Sequence, residues 1–185
     1  MSSRATYAPG AAHGAEARRD GNKWTLVLVR ELRHPPAKVW QALTDPAQLR
    51  EWAPFDADRN LGTTGPAKLS TVGTPSPHVT DGTVKRAEPP TLLEFTWGGN
   101  DMRWELEAKA NGTRLTLWHN IGRKFIAMGA AGWHISLDVL DLFLAGEPIG
   151  RIVGGDAMKF DGWKRLTAEY TTQFGIASID PEQKT

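Results

Sequence analysis

The sequence predicts an α+β domain in which a curved antiparallel sheet wraps around one long C-terminal helix. Three observations carry that expectation. Two short helices, each opened by a proline, follow the first strand. Turn signals then recur at strand spacing through residues 60–119, and the run GWHISLDVLDLFLAG is apolar around most of its circumference. A sheet buried on one face needs a covering layer, and a helix that apolar needs a sheet to grip it. A further helix after residue 160 completes the set.

Residues 1–22 are rich in Ala, Gly, Arg and small polar types, without a sustained apolar period, and read as a disordered leader. A single domain follows over residues 23–176, and residues 177–185 read as a flexible tail. Order begins at Lys23, where Trp24, Leu26 and Leu28 alternate with Thr25, Val27 and Val29. Apolar residues at both parities predict a strand covered on both faces in its first half. Pro35 and Pro36 stop it, and Pro36 fits the first turn of a helix carrying Val39, Trp40 and Leu43. Asp45 then reads as the N-cap and Pro46 as the first residue of a second helix. Leu49 and Trp52 share a face of it, and Pro54 ends it.

A meander comes next. Turn signals stand at Gly62, Gly65-Pro66, Asp81-Gly82, Pro89-Pro90, Gly98-Gly99-Asn100 and Asn111-Gly112. Asn111-Gly112 is the strongest, because both residues tolerate the positive φ of a type I′ hairpin turn. Met102, Trp104, Leu106 and Ala108 face one way before it, and Leu115, Leu117 and His119 after it. Leu93, Phe95 and Trp97 extend the same face upstream. In the helix that follows, Trp133, Leu137, Leu140 and Leu144 line one edge, while His134, Asp138 and Asp141 form the polar stripe. Gly146 and Pro148 stop it. The last helix spans residues 161–174, with Trp163, Leu166, Tyr170 and Phe174 on one face as extra cover.

Composition removes several function classes. A net charge of +1, with basic residues scattered among acidic ones, gives no electrostatic footprint for nucleic acid or anionic membrane. The absence of cysteine excludes a disulfide framework, a thiolate metal site and a cysteine nucleophile. The first residues lack the apolar core of a signal peptide, and no apolar run approaches the roughly 20 residues that span a bilayer. The expectation is a cytoplasmic protein. No G-x-S-x-G elbow, phosphate loop, dinucleotide fingerprint or H-E-x-x-H motif is present, and no cofactor is expected.

The order of strand, HPPAKVWQALTDPAQLREW, meander and MGAAGWHISLDVLDLFLAG resembles the START-like SRPBCC superfamily, the birch-pollen-allergen-like helix-grip fold. Within it the chain is most similar to the branch named for the activator of heat-shock-protein-90 ATPase. Val39-Trp40, residues 43–46, Trp52 and Gly132-Trp133 carry that likeness, which covers residues 24–146. The resemblance implies a cavity between sheet and helix that binds or transforms apolar small molecules, as in lipid-transfer, hormone-binding and polyketide-cyclase branches. Residues 147–176 lie beyond a minimal domain of this kind and suggest a subgroup with its own cavity lid or interface.

The inward faces nominate a pocket of Phe95, Trp97, Trp104, Leu117, His119, Trp133, Leu137 and Leu140, with Trp52 at the helix-pair end. Eight Trp against two Tyr fit an aromatic cage for a flat or greasy ligand, and equally a filled aromatic core. His119, beside Asn120, is the candidate catalytic acid or base. Arg103 and Glu105 read as solvated cross-strand partners. His134, Asp138 and Asp141 have a spacing compatible with a divalent ion, but the simpler account is a solvent-facing stripe, so no metal is expected. The function expected is binding of an apolar or aromatic small molecule. A cavity enzyme of cyclase or hydratase type using His119, and a chaperone-ATPase-activator-like interaction protein, stand beside it. The last helix's apolar face allows a monomer or a homodimer.

Overall fold

The computed structural model describes residues 3–76 and 78–176; the expected tail at 177–185 lies outside the described residues. Strands β1 (Ala15–Asp20) and β2 (Lys23–Leu32) lead into helices α1 (Pro36–Thr44) and α2 (Pro46–Trp52). Six strands follow: β3 (Phe55–Ala57), β4 (Gly65–Thr71), β5 (His78–Glu88), β6 (Leu92–Trp97), β7 (Asn100–Lys109) and β8 (Gly112–Asn120). Helices α3 (Ile126–Leu144), α4 (Gly154–Met158) and α5 (Asp161–Gln173) complete the order. All the described strands join one antiparallel sheet in the order β1-β2-β8-β7-β6-β5-β4-β3. This is the helix-grip arrangement: the sheet curls around α3, and α5 packs against the opposite side of that helix.

The helix pair forms as its sequence dictates. Pro36 and Pro46 sit in first turns, where a missing N–H costs nothing, and the Asp45 carboxylate accepts from the Ala47 N–H at 2.9 Å. Trp52, fully buried, donates its indole N–H to the Ala42 carbonyl at 2.9 Å and so ties the two helices together. Its ring meets Trp104 edge-on at 6.1 Å, and Trp104 meets Trp133 of α3 at 5.5 Å. An aromatic column therefore runs from the helix pair through the sheet to the gripped helix. Leu26, Leu28, Leu115 and Leu117 from the inner sheet face join Leu137 and Leu140 in the same core. Val27, on the outer face of β2, is buried as well. By length and composition α3 matches a membrane span, but most of it is buried inside this domain.

Three local readings change. Residues 15–20, assigned by composition to a disordered leader, form β1, paired with β2 across the Gly21-Asn22 turn. Half-buried Ala15 and Ala17 alternate with exposed Glu16 and Arg18, too small an apolar signal to show as a period. Outward charges also suit an edge strand, since they discourage pairing with another chain. Upstream of it, Ala12 donates to the Glu169 carboxylate at 2.8 Å and its carbonyl accepts from Gln173 at 2.9 Å, strapping residues 3–14 to α5. Asp81-Gly82, read as a turn, lies inside β5; a Cβ at Gly82 would stand 2.6 Å from the Thr96 carbonyl oxygen. The β7–β8 turn has Ala110 and Asn111 at its centre with Lys109 opposite Gly112, and neither central residue has positive φ. It is not type I′. Gly112 is required because the backbone of residues 32–34 passes directly against it.

Because Trp52 and Trp104 are packed on every side, Trp52→Ala and Trp104→Ala should each lose about 3–5 kcal/mol in denaturant titrations. Trp163→Ala, at a partly exposed position, should lose less than half as much.

Candidate functional site

Where β6 and β8 end, a pocket of about 420 Å³ opens between the sheet rim and α3. The sheet contributes Trp97 and His119. Helix α3 contributes Met128, Gly129, Gly132, Trp133 and Ser136, whose spacing of three and four residues places them on one face. The small residues of MGAAG make the space: a Cβ built at Gly132 would find no heavy atom within 4 Å. The third wall is the segment beyond the grip helix, through Ile152, Val153, Ala157, Met158 and Trp163. Among the described lining residues there is no Asp, Glu, Lys or Arg.

The third wall is fixed at its base. Arg151 pairs with Asp56 at 2.6 Å, and Arg4 donates to the Arg151 carbonyl and to Asp156. The Gly155 N–H donates to the Gly73 carbonyl at 2.9 Å. Gly73 and Gly154 press backbone to backbone, both at positive φ, where no side chain has room. The segment is thus clipped to the β4–β5 loop by main chain.

His119 is the buried polar group of the sheet rim. The Trp133 indole N–H donates to its Nδ1 at 3.0 Å, and the Trp97 ring lies over it at 5.8 Å. An indole nitrogen only donates, so Nδ1 must be the bare acceptor and the ring proton of neutral His119 sits on Nε2. Burial also pushes its pKa down to about 4, so the ring is neutral at physiological pH. This arrangement offers the pocket an N–H donor. It offers no base, since Nε2 already holds its proton and Nδ1 is occupied. Asn120, the expected helper, points the other way: it accepts from Thr25 at 2.9 Å and reaches Asp101 on the outer face.

Of the residues nominated from sequence, Trp97, His119 and Trp133 line this pocket. Trp52, Phe95, Trp104, Leu117, Leu137 and Leu140 do not; they are at most 2% exposed and fill the space between sheet and helix. The aromatic interior is packing at its centre and pocket only at its rim. Arg103 reaches Glu105 at 2.8 Å with both side chains partly exposed.

The expected solvent-facing stripe of α3 is covered at His134 and partly at Asp138, while Asp141 stays exposed as expected. His134 Nδ1 stands 2.8 Å from the Tyr170 hydroxyl, Asp138 accepts from Tyr7 at 2.6 Å, and Asp141 pairs with His34 at 3.1 Å. His134 Nε2 also stands 3.6 Å from Asp138, a local pair, but Asp141 turns to His34, and no group among the described residues has metal-site geometry. Arg30 is buried beside them, donating to the His13 carbonyl at 2.9 Å. Burial, then Arg30, pushes the His134 pKa down to about 3. The residues that sequence missed are Met128, Gly129, Gly132, Ser136 and the wall at 152–163. The GAAG run was their visible signal.

The family model for activator of Hsp90 ATPase homolog 1-like proteins matches residues 33–145. No curated protein matches the chain. Among solved structures, EF2215 from Enterococcus faecalis, a conserved protein of unknown function, superposes with a TM-score of 0.66 at 17% identity, covering 86% of this chain and 89% of its own. CalU16 from Micromonospora echinospora gives 0.61 at 21% identity, covering 91% and 97%. An AHSA1-like protein from Aeromonas hydrophila gives 0.52 at 20%, covering 66% and 94%. At such identities the likeness is one of fold.

A histidine with its pKa lowered to about 4 makes stability fall as pH drops, because the unfolded chain takes up a proton near pH 6.5 that the native state refuses. The loss should grow from pH 6.5 to about 4 and then level off. Measured against His119→Gln at each pH, wild type should lose about 3 kcal/mol of relative stability across that window. A constant difference would contradict a buried neutral imidazole.

Proposed function

Since the chain belongs to the family of activator of Hsp90 ATPase homolog 1-like proteins, within the SRPBCC superfamily, we propose that it binds an apolar or aromatic small molecule in the pocket at the sheet's end. The observation that carries this reading is the unfilled space beside Gly132, about 420 Å³ and walled almost wholly by apolar side chains. That volume falls within the range of small-molecule sites. The segment 147–163 acts as the wall that distinguishes this chain's pocket from a minimal domain.

The enzyme reading is weaker, because His119 and Asn120 lie on opposite faces of β8 and no second titratable group lines the pocket. An interaction surface for a large partner is weaker too. Of the large apolar side chains most exposed among the described residues, Phe125 and Met158 stand at the pocket's mouth, where they belong to the ligand's entrance.

N-phenyl-1-naphthylamine, an uncharged dye that brightens in apolar surroundings, should titrate the protein saturably. Gly132→Leu places a side chain in the open space and removes a helix-interior glycine worth about 1 kcal/mol. It should weaken dye binding at least tenfold with an unchanged or higher melting temperature. No saturable binding to wild type, or equal binding to the variant, would sink the proposal.

A further inference from the structure

Two buried polar groups in this pocket, the His119 Nε2–H and the Ser136 hydroxyl, have no protein partner among the described residues; the part-exposed Trp163 indole N–H has none either. His119 is 5% exposed, its Nδ1 is engaged by Trp133, and its Nε2–H is left over. Ser136 is 2% exposed, and its hydroxyl makes no hydrogen bond to another described group. Neither atom is sealed inside the protein, since the fully enclosed unpaired side-chain atoms are Arg30 Nε and Trp118 Nε1. Both residues line the pocket instead. Ser136 follows Trp133 by three positions on α3, so it shares the helix face from which Trp133 reaches His119.

Buried polar groups are nearly always paired, and an unpaired one is costly. In a wall otherwise built from Trp, Met, Ile and Val, these two define a polar end. The Trp133 hydrogen bond sets the sign of that end. By occupying Nδ1 it compels His119 to present a donor, so the complementary ligand atom must accept. A serine hydroxyl can donate as well. With no charged residue among the described lining, nothing compensates a carboxylate or an ammonium for its lost water.

Resting on the binding function proposed above, we infer that the pocket selects uncharged apolar carbonyl compounds, such as ketones, quinones or lactones. The carbonyl oxygen accepts from His119 Nε2–H, and Ser136 supplies a second donor. Trp133 acts as a positioning residue: its indole N–H fixes which tautomer His119 shows the ligand.

The test uses two probes of one skeleton, tetralin and 1-tetralone, competing with N-phenyl-1-naphthylamine for the full chain. The tetralone-to-tetralin affinity ratio in wild type should exceed that in His119→Phe by about 2- to 10-fold, the range of one net hydrogen bond. Ser136→Ala should reduce the ratio in the same direction. Trp133→Phe keeps the ring but frees the tautomer, and should reduce it with His119 still present. Nitrogen NMR should find His119 protonated on Nε2, with that signal shifting on adding tetralone and not tetralin. Binding of both probes with the same ratio in wild type and His119→Phe overturns this inference and leaves the pocket standing. Displacement of the dye by neither probe overturns this inference alone, and absence of saturable dye binding overturns both. A His119 ring protonated on Nδ1 overturns the selection whatever the affinities.

Discussion

Almost the whole circumference of α3 is apolar, and a helix of that kind leaves no face that water can meet without cost. Each other element answers part of that demand. The inner face of the sheet takes one side through Leu26, Leu28, Trp104 and Leu117; α5 takes the opposite side through Leu166 and Tyr170. The helix pair closes one end through Trp52. Even the polar residues of α3 are drawn in, so that His134 and Asp138 are met by Tyr170 and Tyr7. Near the helix N-terminus, at Met128, Gly129 and Gly132, the cover stands off. The pocket exists there because the constraint is locally relaxed.

The central fold was legible because its signals are periodic. Alternation around Trp104 and Leu117, the two proline-led helices and the apolar helix each carry a repeat that burial requires. Features without a repeat were hidden. Strand β1 is held by main-chain pairing and buries only alanines, so hydrophobic periodicity cannot reveal it. Gly82 and Asp81 look like a turn in sequence, since a glycine needed for close strand approach is indistinguishable from one needed for positive φ. The site was half legible for the same reason. Strand parity and helix face nominated Trp97, His119 and Trp133 together with six residues, Phe95, Trp104 and Leu117 on strands and Trp52, Leu137 and Leu140 on helices, that are buried away from this pocket. Parity tells which way a side chain points and nothing about what stands opposite it.

His119 shows how one hydrogen bond converts a versatile residue into a single-purpose one. An unconstrained imidazole can donate, accept or carry charge near neutral pH. Between the Trp97 face and the Trp133 N–H it retains one option, a neutral donor: burial depresses its pKa and the Trp133 N–H fixes its tautomer. A residue type suggestive of acid–base chemistry thus becomes, in its place, a neutral hydrogen-bond donor.

The contact between Gly73 and Gly154 has an evolutionary consequence. It fastens the outer wall through backbone atoms, with the Arg151–Asp56 pair beside it and Ile152 and Ala157 buried in the core, so exposed Met158 carries little of the anchoring. Under the binding function proposed above, substitutions at Met158 would therefore reshape the pocket without disturbing how the wall is attached. On that reading selectivity and attachment are inherited separately, and a lineage that keeps the two glycines is free to vary the pocket's edge at Met158.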